Sequence, residues 1–376
     1  MATQKIIRGQ PSWVIATPQV EAAVTQQGGH LAPVRFLIGK DRWVAPFAIA
    51  PWTSEKLPPG TPPVMQVMRG DFFCMPFGGN ETPYRGECYP SHGETANAVW
   101  TLEKGTPYAL ALSMRTQIRK GRVDKEIRLV PGHSAIYSSH TISGMKGPMS
   151  FGHHPILRVP EGTEARVSTS PFVHGEVFPG AFENPALGGY SCLKPGGKFT
   201  SLQRVPQADG LFADLSTYPS REGFEDLVMM AANDALPFSW TAMVVPGEGY
   251  VWFSLKNPRV LRSTVFWISN GGRHYSPWNG RHRRVIGLEE VTSNFHYGLA
   301  ESARSNALSR AGIRTSVVLD PAKPLVVNFI MAVAAVPGGF DIVRSISAAA
   351  DEQSVTLVSR SGGKITVPLN VGFVTG

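Results

Sequence analysis

Short runs of alternating apolar and polar residues constrain the fold of this chain more than any other feature. Such runs are typical of half-buried strands. They occur at Val34–Ile38, Tyr108–Met114, Lys125–Val130, Ala135–Ile142 and Thr241–Val245. Pro-Gly and Gly-Gly pairs separate them, and the 376 residues include 39 Gly and 31 Pro, which supply the turns between strands. The pattern predicts a single all-β domain over residues 1–376, of the sandwich type.

Three segments depart from the alternation. Residues 220–231 combine a capping Ser220 with apolar residues at helical spacing, and this predicts a surface helix. A second short helix is predicted from Leu299 to Arg310, ended by Gly312. The apolar stretch Leu325–Pro337 is interpreted as a pair of core strands, because it is shorter than the ~20 residues of a membrane-spanning helix.

The distribution of charge bears on one class of partner, nucleic acid. Lys and Arg number 36 and Asp and Glu 28, for a net charge of +8, but the excess is scattered. The one dense basic run is Arg281–Arg284. A nucleic-acid-binding protein is expected to carry a continuous basic stripe with interleaved aromatic residues or a recognisable module, and neither is present. We therefore expect no nucleic-acid partner.

The sequence also bears on location. Residues 1–11 lack the apolar core of a signal peptide, and no segment is long enough to be a membrane span. The three cysteines, Cys74, Cys88 and Cys192, are widely spaced and form no Cys-x-x-Cys pair, so neither a disulfide framework nor a zinc site is indicated. We expect a cytoplasmic protein without a membrane association.

Common catalytic motifs are missing. The chain has no Gly-x-Ser-x-Gly elbow, no His-Glu-x-x-His and no Gly-x-Gly-x-x-Gly before a helix. We therefore expect the chain not to be a nucleotide-dependent enzyme.

Histidines offer better candidates for chemistry. His92 lies in a turn-like stretch before Gly93, where it either serves a site or bonds a loop carbonyl. His153 and His154 are adjacent, and neighbours on an extended segment point to opposite faces, so only one of them can enter a given cleft. No carboxylate or cysteine at familiar spacing completes a metal site with them, and we expect none.

Glu289 and Glu290 follow the apolar run 285–288, which is typical of a buried strand. One of the two carboxylates is expected to point inward, where it must be hydrogen-bonded, paired or functional. The alternatives for Glu289 are a functional carboxylate and a buried ion pair with an arginine of the run Arg281–Arg284. Because neighbouring residues on a strand face apart, the two glutamates are not a retaining-glycosidase pair.

Three motifs occur in a recognisable order: His92-Gly93, Gly152-His153-His154-Pro155, and Gly287-Leu288-Glu289-Glu290. In this order and spacing the chain resembles the aldose 1-epimerase (galactose mutarotase-like) family over nearly its whole length. The resemblance implies a β-supersandwich with one or two short surface helices. It also implies that a concave face binds a sugar. The implied reaction opens and recloses the sugar ring without a metal or cofactor.

Carried over by position, the resemblance implies Glu289 as the base, His154 as the acid and His92 as a substrate-orienting or charge-sharing group. His153 remains the alternative to His154. The stretch from Phe77 to Glu81 occupies the place of the family's sugar-contacting Asn-Arg pair. Asn80 matches the asparagine, but Glu81 stands where arginine is expected and Arg85 is the nearest arginine. Aromatic residues that could line the cleft or belong to the core are Phe77, Tyr89, Trp267, Tyr275 and Trp278.

The predicted function is interconversion of sugar anomers by general acid–base ring opening. A carbohydrate-binding protein without catalysis is the first alternative, motivated by the departure at Asn80-Glu81. A supersandwich lyase or hydrolase is the second, and it requires a further acidic residue in the cleft. The net charge and the run Arg281–Arg284 add the hypothesis of an anionic or phosphorylated sugar.

Overall fold

The computed structural model describes residues 3–376 of the chain. Its first fifteen strands are β1 (Thr3–Ile7), β2 (Gln10–Ala16), β3 (Val20–Thr25), β4 (Leu31–Ile38), β5 (Arg42–Val44), β6 (Phe73–Cys74), β7 (Thr101–Gly105), β8 (Ala109–Thr116), β9 (Gly121–Leu129), β10 (Ala135–Ser143), β11 (Gly147–Met149), β12 (Phe151–His153), β13 (Ile156–Arg158), β14 (Ala165–Thr169) and β15 (Phe172–Val177). The remaining strands are β16 (Val205–Pro206), β17 (Phe212–Ala213), β18 (Thr217–Tyr218), β19 (Phe224–Ala232), β20 (Ser239–Val245), β21 (Tyr250–Lys256), β22 (Ser263–Asn270), β23 (Val285–Thr292), β24 (Val317–Leu319), β25 (Leu325–Ala335), β26 (Val343–Ala348), β27 (Ser354–Ser359) and β28 (Lys364–Pro368).

Helices are few and short. Residues 3–376 contain α1 (Pro63–Val67), α2 (Leu299–Ala303), α3 (Ala307–Arg310) and α4 (Gly372–Thr375), with two 3₁₀ turns at Pro185–Leu187 and Pro246–Glu248. None of these helices is long and apolar enough to cross a membrane.

Two large antiparallel sheets form the centre of the molecule. A nine-stranded sheet has the order β18-β14-β20-β21-β25-β10-β9-β8-β7, and a seven-stranded sheet has the order β15-β19-β22-β23-β12-β6 with β13 also paired to β23. Apolar side chains from both sheets form one continuous core, for example Val228 and Leu288 from the seven-stranded sheet and Leu112 and Met331 from the nine-stranded sheet. The sandwich therefore follows from strands that bury a face against each other.

Smaller sheets cover the rest of the sandwich. The five-stranded sheet β1–β5 contributes residues such as Ile15 and Phe36 to the central core. The three-stranded sheet β26–β28 packs through Ile346 and Leu357 against the outer side of the nine-stranded sheet. The outer side of the seven-stranded sheet carries a further apolar cluster with Leu227, and it is this side that bears the pocket described below.

The all-β supersandwich prediction is confirmed, and two local predictions are wrong. Residues 224–231 of the segment predicted as a helix over residues 220–231 belong to β19, because the apolar residues at helical spacing lie on a strand buried on both faces. The segment Leu325–Pro337 is a single strand, β25, placed between β21 and β10. The predicted helix from Leu299 to Arg310 is present as α2 and α3, and Gly312 follows with a φ of 79°.

Candidate active site

A pocket of about 180 Å³ opens on the outer face of the seven-stranded sheet. Its wall combines aromatic and aliphatic side chains with a small number of polar groups, which is the usual composition of a small-molecule site. The lining residues are Val64, Met65, Met68, Gly79, Ser91, His92, His154, Phe182, Leu227, Trp267, Arg273, Trp278, Glu289 and His296.

Glu289 reaches the pocket because of strand parity. On β23 the even-numbered Ile286 and Leu288 enter the core between the two large sheets, so the odd-numbered Glu289 projects from the opposite face. Gly287, two residues earlier on that face, leaves room for its carboxyl group, since a Cβ at Gly287 would stand 2.7 Å from Glu289 Oε1. The carboxyl group is almost completely buried at the base of the pocket.

His154 lies beside Glu289 in the pocket wall, with 3.1 Å between His154 Nε2 and Glu289 Oε1. Its backbone N–H donates to Asp71 Oδ1 at 3.0 Å, and its ring stacks on Phe72 with 4.5 Å between the centroids. His154 Nδ1 has no hydrogen-bond partner within residues 3–376. The imidazole is therefore held by backbone and stacking contacts, and Nε2 is its ring nitrogen in contact with the Glu289 carboxyl group.

Burial acts on the two partners in opposite directions. Removal from water raises the pKa of Glu289 well above its ordinary value, and the neighbouring Glu290 charge raises it further. Burial also lowers the pKa of His154 well below its ordinary value, with a smaller contribution from His92. Both groups are therefore pushed towards their neutral forms.

His92 forms another part of the wall. Its ring meets that of His154 edge to face at 4.9 Å between centroids, and its Nδ1 lies 3.4 Å from Cys74 Sγ. Burial, with Arg273 nearby, lowers the pKa of His92 to about 4. Gly93 has a φ of 73°, and a Cβ there would stand 2.0 Å from the Met75 carbonyl oxygen, so only glycine permits this close approach of the two backbone segments. His92 is thus presented as a neutral imidazole.

Aromatic and basic side chains complete the rim. The Arg273 guanidinium lies 4.5 Å from the Trp278 ring centroid and 5.5 Å from that of Trp267. His296, after the end of β23, packs at 5.2 Å from Phe182, and burial lowers the pKa of His296 to about 3. The pocket therefore offers flat apolar surfaces beside neutral imidazoles and one guanidinium.

His153 and Glu290, the chain neighbours of His154 and Glu289, point away from the pocket. His153 Nδ1 lies 2.8 Å from Asp71 Oδ2, and the ring packs 4.4 Å from Phe329 of the nine-stranded sheet. Glu290 pairs with Lys256 between the two sheets. His154 and Glu289 meet in the pocket, while His153 and Glu290 serve the interior of the sandwich.

The fold places this pocket among known proteins. No protein-family model matches the sequence, and no curated protein matches it significantly. Solved structures do match. A galactose mutarotase related enzyme from Lactobacillus acidophilus is 14% identical and superposes with a TM-score of 0.55, covering 86% of this chain and 97% of that one. A galactose mutarotase-like protein from Lactobacillus casei is 12% identical with a TM-score of 0.53, and the match covers 86% of this chain and 99% of that one. An aldose epimerase homologue from C. elegans is 11% identical with a TM-score of 0.56, and the match covers 89% of this chain and 100% of that one.

The chain has the galactose mutarotase-like fold. At identities of 11% to 14% the likeness establishes the fold and leaves the activity to the residues of the pocket.

The other residues predicted for the site are spread around the pocket. Trp278 lines it, and Phe77 lies behind it with its ring 5.7 Å from that of His92. Asn80 is buried beside it, where its side chain donates to the carbonyls of Pro76, Gly78 and Pro90 and accepts from Leu299 N–H. Arg85 is exposed and lies over the Tyr84 ring. The structure does not bring the Asn80 side chain, Arg85 or His153 to the pocket.

Sequence reasoning missed Arg273, His296, Ser91 and Phe182, which all lie outside regular strands. No local pattern marks such loop residues, because their position depends on how the loops fold over the sheet. The arginines of the run Arg281–Arg284 have partners other than Glu289, so the hypothesis of a buried ion pair with Glu289 is wrong. Arg281 pairs with Glu55 and Arg283 with Glu222, while Arg284 bonds backbone carbonyls of Val159 and Pro160.

Within residues 3–376, no three His, Cys, Asp or Glu side chains are grouped so that they could hold a metal ion.

Proposed function

We propose that the protein is an aldose 1-epimerase-like enzyme that interconverts the anomers of a monosaccharide. The observation that carries the proposal is the 3.1 Å contact between His154 Nε2 and Glu289 Oε1 in a pocket. Anomer exchange requires one proton to leave the anomeric hydroxyl and another to reach the ring oxygen, and these two oxygens are bonded to the same carbon. Two proton-carrying atoms side by side match two reacting oxygens side by side.

The proton balance of the pair fits the reaction. Transfer of the Glu289 proton to His154 Nε2 leaves a carboxylate and an imidazolium. The carboxylate then takes the proton from the anomeric hydroxyl, the imidazolium gives its proton to the ring oxygen, and the ring C–O bond breaks as the aldehyde forms. Both groups are then in the neutral forms that burial favours. Rotation of the aldehyde and reversal of the same steps close the ring as either anomer.

The remaining wall suits a sugar. Trp267, Trp278 and Phe182 present aromatic surfaces for the apolar C–H face of a pyranose, and His92 and Ser91 present polar atoms for hydroxyl groups. Glu289 is the one acidic residue lining the pocket as described. A hydrolase needs two carboxyl groups across the scissile bond, so the pocket favours anomer exchange over hydrolysis.

The location is part of the same proposal. Cys74, Cys88 and Cys192 are all free thiols, as is usual in a reducing compartment. We assign the activity to the cytoplasm on this ground.

Exchange NMR on equilibrated glucose and galactose, with polarimetry on freshly dissolved α-anomers, tests the activity. We expect catalytic amounts of protein to accelerate exchange, and Glu126→Gln, an exposed carboxyl on β9, to match the unaltered protein. Calorimetric titration with the same sugars runs in parallel. If a broad panel of aldoses binds saturably and none of them exchanges anomers faster, the protein is a carbohydrate-binding protein and not an enzyme.

A further inference from the structure

Arg273 holds hydrogen-bonding capacity that the protein itself does not use. Its Nε–H donates to Glu183 Oε1 at 2.6 Å. Within residues 3–376 this is the one hydrogen bond of the side chain, so Nη1 and Nη2 have no protein acceptor. The side chain is 16% exposed and its guanidinium lines the pocket. Four N–H donors are thus available to a molecule that enters.

The guanidinium is held firmly in place. Glu183 is 4% exposed, and its second oxygen accepts from Tyr275 O–H at 3.2 Å, which fixes the carboxylate that fixes Arg273. Trp278 and Phe182 surround the guanidinium at 4.5 and 5.5 Å from its central carbon. A donor group that is already oriented loses little freedom when it binds a ligand, and this favours affinity.

The charge of Arg273 is already compensated. Glu183 pairs with it directly, and the fully buried Glu225, hydrogen-bonded to Trp267 Nε1 and Ser269 Oγ, is a second carboxyl group that interacts electrostatically with Arg273. Burial raises the pKa of Glu225 to about 7, and Arg273 opposes this rise. An anionic substituent brought into the pocket would lose its hydration without finding an uncompensated cation.

No other cation of the basic run substitutes for it. Arg281 and Arg283 form ion pairs with Glu55 and Glu222, and Arg284 donates to backbone carbonyls. The excess positive charge of the chain therefore does not reach the pocket in a free form.

We propose that Arg273 anchors the substrate by donating from Nη1 and Nη2 to hydroxyl oxygens of an uncharged aldose, and that the pocket discriminates against phosphorylated and carboxylated sugars. This inference rests on the proposed function and names its substrate class. A guanidinium edge presents two parallel N–H groups, which match two neighbouring hydroxyl oxygens of a sugar ring.

Substrate selectivity of the unaltered protein is the first test. Exchange NMR and calorimetric titration compare glucose, glucose 6-phosphate and glucuronate. We expect kcat/KM and affinity for glucose to exceed those for both anions at least about tenfold, because the anionic group loses its hydration without gaining an uncompensated cation. Equal or tighter binding of either anionic sugar would overturn the inference, and comparison of the two anions shows which charge is accepted.

Variants supply the second test. Arg273→Gln is expected to raise KM and the dissociation constant for glucose about 10- to 100-fold with a much smaller change in kcat, and Arg273→Lys, which keeps the charge and loses the fork, to give an intermediate increase. Glu183→Gln leaves the charge of Arg273 less compensated, so the preference for glucose over glucose 6-phosphate should narrow. Arg283→Gln, at an exposed arginine paired with Glu222, is the matched control.

The two proposals fail separately. If anomer exchange is not accelerated but glucose binding still weakens in Arg273→Gln, the proposed function fails and the anchoring role stands. If exchange is accelerated and Arg273→Gln, shown to be folded by circular dichroism, leaves KM and affinity unchanged, the anchoring role fails. If Arg273→Gln does not fold, Arg273→Lys and the selectivity of the unaltered protein decide.

Discussion

Each face of β23 carries one glutamate, and the two glutamates differ in how many partners the protein provides for them. On the inner face, Glu290 pairs with Lys256 and accepts from Thr241 and Thr264 at 2.6 and 2.7 Å. On the outer face, Glu289 has a single partner, the titratable His154, and borders a pocket. Every oxygen of Glu290 is satisfied by the protein, whereas Glu289 keeps capacity to bind and exchange protons.

This difference separates a structural carboxylate from a reactive one. A buried charge that is fully paired is strongly coupled to the integrity of the fold. A buried carboxyl group with few partners has a perturbed pKa and is costly to the folded state, and such groups cluster at functional sites. Because successive side chains of a strand point to opposite faces, Glu290 contributes to stability and Glu289 is available for chemistry.

The largest expected effect is the loss of activity in Glu289→Gln. Removing one positioned proton-transfer group lowers a rate about 100- to 10,000-fold, and we expect kcat for anomer exchange to fall within this range. Exchange NMR measures it, with Glu126→Gln as the control of the same chemical change on the surface. Retention of more than a tenth of the rate would show that Glu289 is not the base.

On the opposite face, Glu290→Gln is expected to reduce the free energy of unfolding by about 3–5 kcal/mol. The substitution leaves the buried Lys256 ammonium without its counter-ion. Urea denaturation followed by tryptophan fluorescence measures the loss, and the double variant Glu290→Gln/Lys256→Met should recover part of it. A change below about 1 kcal/mol would remove the contrast between the two faces.

Asn80 lies beside the pocket, but its hydrogen-bonding groups, like those of Glu290, are all used by the protein. Its amide donates to three backbone carbonyls and accepts from Leu299 N–H, so Asn80→Ala leaves several buried groups unpaired. We expect a loss of about 1–3 kcal/mol in the free energy of unfolding. KM for glucose, measured well below the melting temperature, should change little. A large increase in KM at full stability would instead assign Asn80 to substrate binding.

Glu289→Gln is also expected to change stability, with a sign opposite to that of Glu290→Gln. Because burial raises the pKa of Glu289, the folded protein binds its proton more tightly than the unfolded chain does. The stabilising contribution of Glu289 is then complete at pH below its unfolded pKa, about 4.3, and is lost as the pH rises through its folded pKa.

The neutral amide avoids that loss, so Glu289→Gln should be more stable than the unaltered protein at pH 7 by about 0.5–2 kcal/mol. The advantage should vanish at pH 4. Thermal melts at both pH values measure it. If the variant is less stable at pH 7, the carboxylate is better accommodated than its burial implies.

Alternation was sufficient to predict the sheets, and the family resemblance carried by short motifs named His154 and Glu289, which the structure places in contact. Parity along β23 and across His153-His154 follows from strand geometry alone, so sequence could limit the reactive candidates to one residue of each pair. The helix predicted at residues 220–231 failed because a strand buried on both sides has apolar residues at every spacing, helical ones included. Arg273 and His296 could not be found, since loop positions depend on the completed fold.

The smallest expected effect is that of Arg85→Ala. Position in the sequence makes Arg85 a candidate for substrate binding, but the structure places it exposed over Tyr84, outside the pocket wall. An exposed cation over an aromatic ring contributes at most about 0.5–1 kcal/mol, so stability should change little and kcat/KM for glucose should stay within about twofold. The same kinetic assay applied to Arg273→Gln gives the comparison, because both variants remove one guanidinium. If Arg85→Ala raises KM more than Arg273→Gln does, the sugar is bound by the loop that contains Asn80 and not by the wall that contains Arg273.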